Sequence, residues 1–383
     1  MEKEKTESKS GDIRLLYLNQ FIRGIAFSFV GIFIPIYLFT LGHTFNTVLI
    51  YFLVFHLVTF IFTPVALSLS RKFGYKVIVI CSASFIILFF ISLRLLEQIS
   101  IPIPLIAILG GAENAFYFIP LHAFFTRLSE NQKRGKQFSN YASIGQLAGL
   151  VGPLIGGIIA AFFGFAPLFY ITIFFIILSI FPLFKLDNVK PATKLTFSGI
   201  WHLTKTNKRF FFATIFDNIR GEVEGLIWPI FIYFTLKNLI SVGWVGSLVT
   251  AGTIFFTLFI GRFHDKKDKY LFLKLGGLFY AILWLIRIYT ATPFSLYILS
   301  LLAGLFALMI GIPFSAIFYD KAAEKKDPDE FIVFREIPNV IGRSSLWLLM
   351  FFLADKFIVA FILASLASLY FVFFKFEPKP KAR

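Results

Sequence analysis

Residues 77–93 read VIVICSASFIILFFISL. A membrane-crossing β-strand needs about 10 residues that alternate between apolar and polar. This run is apolar throughout and does not alternate, so it reads as a helix buried in hydrocarbon, where a crossing needs about 20 such residues. Comparable stretches recur at 15–41, 47–70, 76–97, 101–127, 138–163, 165–185, 209–237, 243–262, 270–291, 294–319, 331–354 and 356–376. The expected fold is an all-α membrane protein with twelve transmembrane helices.

Composition agrees. Of 383 residues, 58% are hydrophobic and 15% charged, so the solvent for most of the chain is a lipid bilayer rather than water. The net charge of +16 would suggest a nucleic-acid partner in a soluble protein, but here the placement of the cations excludes that reading. Most of the 37 Lys and Arg residues fall in the N-terminus, the C-terminus and the loops on their side. Arg94, Lys237, Arg287 and Lys356 mark the other side, and Arg23, Arg220 and Arg343 lie inside spans. The positive-inside rule then puts both termini in the cytoplasm. MEKEKTESKSGD at the N-terminus has no cleavable signal pattern, so the first span is expected to remain as its own insertion signal. Short loops fit a multi-pass protein of a prokaryotic inner membrane. The single cysteine, Cys81, excludes an internal disulfide and is expected to be a small buried residue.

The longest polar break, DNVKPATKLTFSGIWHLTKTNK at 187–208, falls between the sixth and seventh spans. It divides the chain into a cytoplasmic tail (1–14), a six-helix bundle (15–186), a cytoplasmic linker (187–208), a second six-helix bundle (209–376) and a tail (377–383). LTFSGIWHL within the linker fits a short helix on the membrane surface. The halves echo one another: FIRG at 21–24 matches NIRG at 218–221, and PIYLFTL at 35–41 matches PIFIYFTL at 229–236. Parallel repeats of this kind build a substrate site between two pseudo-symmetric halves at the bilayer midplane.

Three motifs carry a family resemblance. LSLSRKFGYK (67–76) is similar to Gly-x-Leu-Ala-Asp-Arg-x-Gly-Arg-Arg, with Gly74 and Lys76 in register, Leu67 replacing the first glycine and Arg71 the aspartate. The second-half loop GRFHDKKDK (261–269) keeps Gly261, Asp265 and Lys266 and loses the later glycine to Asp268. GQLAGLVGPLIGGII (145–159) carries Gly152, Pro153, Gly156 and Gly157 in a Gly-Pro-x-x-Gly-Gly core, with Ala148 at the upstream glycine. Together with the six-plus-six layout, these resemble the major facilitator superfamily of secondary transporters. The resemblance implies alternating access between two bundles, with the loop motifs as conformational gates, and a latch role that carries over to Asp265. It also implies that the first, fourth, seventh and tenth helices line a central cavity. Small residues in GQLAGLVGPLIGGII equally suit close helix packing.

DNIRGEVEGLIWP (217–229) is the most polar stretch within a span. A charge at the bilayer centre costs about 3 kcal/mol or more, so such groups are paired or face water. Counted from Arg209, Asp217, Arg220, Glu222 and Glu224 lie roughly 12 to 22 Å deep, inside a slab of about 30 Å. Asp217, Arg220 and Glu224 share one stripe and are expected to neutralise one another. Glu222 points elsewhere. Its depth-matched partner is Arg343, with Glu336 or backbone carbonyls as that arginine's alternatives. Arg23 and Glu113 match in depth and are expected to pair, with Asn19 and Tyr117 one turn away. A permanent pair that only fixes helix register is the alternative reading.

By the resemblance, Arg23, Glu113, Arg220 and Glu224 are the leading site candidates, lining a shared aqueous vestibule between the halves. Tyr117, Asp217, Glu222 and Arg343 join them. Trp228 is a candidate to stack on an organic solute, with packing as its alternative. Carboxylates in a cavity of low polarity suit proton carriage, Glu113 and Glu224 first. His56 and His122 read as packing hydrogen bonders.

The expected function is secondary active transport of a small polar or charged organic solute, powered by protons or sodium. Efflux of drugs or lipids is the runner-up. No catalytic residue, metal or cofactor is expected: the five histidines form no pair at ligand spacing, and no phosphate-binding glycine loop precedes a strand. The partners are the bilayer, the solute and a coupling ion, for a monomeric protein.

Overall fold

In lipid every backbone N–H and C=O must find its partner inside the chain, and helices achieve this locally. A computed structural model describes residues 2–129, 134–191, 197–260, 269–323, 328–353 and 355–375, and among them the regular structure is helical throughout. The first half contains α1 (Glu2–Val30), α2 (Ile34–Thr40), α3 (Phe45–Phe73), α4 (Tyr75–Leu95), α5 (Ile103–Leu128), α6 (Arg134–Phe163) and α7 (Ala166–Phe184). A short α8 (Phe197–Thr206) follows, where the linker reading places a helix. The second half contains α9 (Lys208–Glu222), α10 (Trp228–Leu236), α11 (Leu239–Ile260), α12 (Lys269–Ile288), α13 (Pro293–Ala323), α14 (Pro328–Phe352) and α15 (Lys356–Phe373). Residues 2–14, expected as a tail, are helical and run unbroken into the first span.

Among the described residues, ten helical segments are long and apolar enough to cross a bilayer. The two expected spans missing from that set are helical as well. One is α14, which carries Arg335, Glu336 and Arg343; its 25 residues reach about 37 Å, past a hydrocarbon core of about 30 Å. The other runs from α9 to α10 through a π turn at Val223–Ile227. The first span is interrupted at the corresponding place, by a 3-10 turn at Gly31–Phe33. In both, a proline follows: Pro35 and Pro229 have no N–H for the carbonyls of Gly31 and Gly225, and their rings crowd those carbonyls, so the ladder re-registers. The repeated sequence therefore encodes a repeated helix break.

Helix pairing makes the internal symmetry explicit. In the first half α1 packs on α6 and α7, α4 packs on α5 and α7, and α3 packs on α5. In the second, α9 packs on α14 and α15, α12 packs on α13 and α15, and α11 packs on α13. Each of these contacts has its counterpart in the other half. Two seams join the halves, α6 against α11 and α3 against α14, and the same pseudo-twofold exchanges them. The fold is an all-α bundle of two such halves.

The glycine-proline motif belongs to one seam. A Cβ at Gly156 would overlap the Phe29 carbonyl of α1, and one at Gly157 would meet the Leu239 carbonyl at 2.6 Å. Pro153 sits against Gly243 and Gly246 of α11. Helix α6 is thus wedged between α1 and α11 at backbone contact, which only small residues permit. The outward surface is apolar, as lipid requires: Phe162, Phe174 and Phe181 are 72%, 62% and 60% exposed. Cys81 belongs to that surface and is exposed; it is not the buried residue expected, because in lipid an apolar side chain gains nothing by turning inward.

Overpacking a close contact costs about 1–3 kcal/mol. Gly156→Leu is expected to lower the thermal midpoint of the purified protein by several degrees, whereas Gly311→Ala, whose surroundings are open, leaves it unchanged. Equal midpoints for the two variants would contradict the seam.

Candidate functional site: charged clusters and a cavity in the membrane

Arg23 of α1 and Glu113 of α5 form a buried ion pair, with Arg23 Nη2 donating to Glu113 Oε1. The Arg23 guanidinium carbon lies 3.5 Å from the centroid of the Tyr117 ring and 4.8 Å from that of Phe27. Tyr117 donates its hydroxyl to Asn19 Oδ1 at 2.8 Å, and Asn19 Nδ2 donates to the Ser179 carbonyl at 2.7 Å. Aromatic faces and neutral hydrogen bonds enclose the pair, which ties α1, α5 and α7 into one body.

The seventh span distributes its charges differently from the expected stripe. Arg220 Nη2 donates to Asp217 Oδ1, one turn away on α9. Glu224 does not join them. It sits inside the π turn, which shifts the angular register and aims its carboxylate at α12. There it accepts from Arg287 Nη1 at 2.6 Å, Arg287 Nη2 at 3.1 Å and the Tyr280 hydroxyl at 2.7 Å. Arg287, read from sequence as an outer helix end, has no solvent exposure and lies 3.8 and 4.3 Å from the ring centroids of Trp228 and Trp284. Trp228 is buried, donating Nε1 to Ser300 Oγ at 2.9 Å; its ring covers Arg287 and is not open to a solute. The sequence signal for Arg287 was its depth: near the far end of α12, it matches a Glu224 that is roughly 22 Å along its own span.

Glu222 bridges the halves. Arg343 Nε of α14 lies 3.1 Å from Glu222 Oε1, and His56 Nε2 of α3 lies 3.5 Å from Glu222 Oε2. Arg343 Nε also donates to Asn218 Oδ1 at 2.8 Å, and Asn218 Nδ2 donates to Asn339 Oδ1 at 2.8 Å. Glu336 accepts from Asn339 Nδ2 at 3.1 Å rather than from Arg343. His56, expected to be a packing hydrogen bonder, is therefore the first-half residue that faces this carboxylate across the gap, at a separation longer than the other contacts of the junction.

Above this junction, toward the face opposite the termini, aromatic pairs close the gap between halves. Phe52 stacks on Trp347 at 4.5 Å and 13°. Phe39 meets Phe234 edge-on at 5.0 Å, and Phe45 meets Phe357 at 5.5 Å. On the terminal side a cavity of about 200 Å³ opens between α9, α13 and α14, lined by Asp217, Asn218, Arg343, Arg335 and a group of phenylalanines. None of Arg23, Glu113, Arg220 and Glu224 lines it, so the four residues expected around one vestibule sit in separate clusters in this conformation.

Of the loop motifs, Gly74 has φ +92° and a Cβ there would overlap Asn188. Asn188 Nδ2 donates to the Phe73 carbonyl at 2.6 Å, and Lys76 Nζ donates to the Leu186 carbonyl at 2.7 Å. The α3–α4 turn is thereby clamped to the segment following α7, and Arg71 lies in the last turn of α3. Gly261, Asp265 and Lys266 lie outside the described residues.

The sequence model of the Major Facilitator Superfamily matches residues 16–219, more than half of the chain. The chain belongs to the Major Facilitator Superfamily. It is similar to Multidrug resistance protein MdtG of Salmonella arizonae, 24% identical over 315 residues and covering 76% of each chain. To the MdtG of Proteus mirabilis it is 25% identical over 298 residues, covering 72% of each. As a member of this superfamily the chain is a multi-pass membrane transporter, not an enzyme by kinship, with the bilayer and a small-molecule solute as its partners.

Removing one partner of a buried ion pair costs about 3–5 kcal/mol because the other charge is stranded. Arg287→Met and Glu224→Gln should each lower the thermal midpoint strongly, and the double variant should fall by less than the two effects added. Strict additivity would contradict the pairing.

Proposed function

We propose that this superfamily member carries a small polar or charged organic solute by alternating access and couples that movement to protons. The observation that carries the proposal is the junction of Glu222 with His56 and Arg343. Glu222 belongs to the second half and His56 to the first, so their contact favours the arrangement closed at the far face. Arg343 belongs to the junction and also lines the cavity, with its side chain 35% exposed. A proton on Glu222 removes the charge holding both partners and leaves Arg343 free to turn to a solute.

Inverting a two-state population from 1:99 to 99:1 takes about 5.5 kcal/mol; because Arg343 shares a half with Glu222, only the contact with His56 and the contacts of the solute bear on that balance. Glu113 is the second candidate proton carrier, acting through release of Arg23. A cavity on the terminal side, taken with cytoplasmic termini, supports reading this as the inward-facing arrangement, and we take the carrier to be a monomer of the inner membrane with six-helix domains at 15–186 and 209–376. Asp265 and Lys266, with Arg71 and Gly74, are the gate residues we assign to the cytoplasmic loops.

A second reading, proton-coupled efflux of drugs, draws its support from the relatives named as multidrug resistance proteins. Their identity of about one residue in four leaves the solute to be determined directly.

Proteoliposomes holding a pH-sensitive dye are to be given betaine, gluconate and ethidium as first probes. At least one is expected to move with a change in internal pH that a protonophore collapses and that Glu222→Gln loses. Uptake that is equal with and without a proton gradient, and equal in Glu222→Gln, would remove proton coupling.

A further inference from the structure

We infer that the cavity between α9, α13 and α14 binds a small zwitterion of the α-amino acid class, with its carboxylate on Arg343 and its ammonium on Asp217. The inference rests on the transport reading and names the solute class of that cavity.

The protein itself uses only one side of each of these two charges. Arg343 commits its Nε, 2.8 Å from Asn218 Oδ1 and 3.1 Å from Glu222 Oε1. Among the described residues its Nη1 and Nη2 make no hydrogen bond, and neither is a buried atom. Asp217 accepts from Arg220 through Oδ1, while its Oδ2 is likewise unbonded and accessible. The side chains of Asp217 and Arg343 are 31% and 35% exposed, and both line the cavity. Arg343 bonds Asn218, the residue that follows Asp217, so the two charges stand near one another; their ion pairs, however, are with Arg220 and Glu222 and not with each other. A guanidinium fork and a carboxylate oxygen are thus both open to one small space.

That combination selects against a single charge. The fork of two terminal nitrogens matches a carboxylate, and the free oxygen of Asp217 accepts from an ammonium N–H. A plain anion on Arg343 would lie beside the Asp217 carboxylate, and a plain cation on Asp217 would lie beside the Arg343 guanidinium. Each would meet a like charge, which costs affinity. A zwitterion satisfies both groups and brings no net charge into the membrane, where net charge is costly. The other cation of the lining, Arg335, is eight residues earlier on α14 and so about 12 Å nearer the terminal face, with its Nε buried.

The rest of the lining limits the solute's side chain. Thr214, Asn218, Ser315 and Asn339 contribute hydroxyls and amides. Phe210, Phe314 and Phe318 are buried against one another, so their rings offer no apolar face. A volume of about 200 Å³ admits one small molecule. The solute is therefore short and polar.

The test uses the purified full chain in nanodiscs and three probes of one shape: L-serine, L-glycerate, in which a hydroxyl replaces the ammonium, and L-serinamide, in which an amide replaces the carboxylate. Titration calorimetry is expected to give serine an affinity about tenfold or more above either analogue, the effect of one charge-assisted hydrogen-bonded contact. Asp217→Asn should bring serine down to the level of glycerate without weakening glycerate. Arg343→Gln should bring serine down to the level of serinamide without weakening serinamide. A merely structural role for either residue would lower all three probes alike. Serine binding no tighter than one of its analogues, no binding of serine, or a uniform loss for all three probes in both variants would each overturn the assignment. If a variant does not fold, the ratios among the three probes on the unaltered chain decide. None of these outcomes touches the carrier reading, which the dye-loaded proteoliposomes decide with other compounds.

Discussion

Hydrocarbon does not tolerate an unpaired charge, and the arrangement of this protein follows from how it meets that constraint. Each ionic side chain in a span costs about 3 kcal/mol or more unless a partner or water compensates it, so a pair formed between two spans is also a tie between them. Arg23 and Glu113 tie α1 to α5. Glu224 and Arg287 tie the seventh span to α12. Both ties lie within one half, and both are wrapped in aromatic rings that exclude water. They make each half a rigid body. Glu222 alone among these carboxylates reaches across, its Oε2 3.5 Å from His56 Nε2 of the other half, so a group that a proton can neutralise stands at the gap between the halves.

The two seams exchanged by the pseudo-twofold differ in chemistry. At α6 and α11 glycines and Pro153 allow backbone contact, a surface without deep interdigitation over which two helices can roll. At α3 and α14 the contact is a stacked Phe52–Trp347 pair with the ionic junction beneath it. On the proposed mechanism, rocking the halves about the first seam would open the second. The 3-10 turn before Pro35 and the π turn before Pro229 interrupt the hydrogen-bond ladder at corresponding places of two symmetry-related spans, where a change of angle needs the least further disruption.

Much of this was legible in the sequence because it follows from depth alone. Arg23 with Glu113 and Glu222 with Arg343 pair because helical rise puts them at equal heights in the slab, and rise is the same for any sequence. Angle was not legible. The stripe of Asp217, Arg220 and Glu224 assumes an unbroken turn of 3.6 residues, and the π turn removes Glu224 from it. With that angle lost, Arg287 was missed and Trp228 looked available when it covers Arg287. His56 was read as a packing residue since nothing local distinguishes a histidine that packs from one that meets a carboxylate across a domain gap.

The most direct measurement is the distance across the far face. Spin labels at Asn46, in the first turn of α3, and Ala291, before α13, both exposed, in a chain with Cys81 replaced by serine, report it by double electron-electron resonance. With Glu222 intact the short distance should dominate, and Glu222→Gln, which carries the neutral form permanently, should shift the population to a longer one. An identical distance distribution in the two proteins would contradict the claim that this carboxylate holds the halves closed.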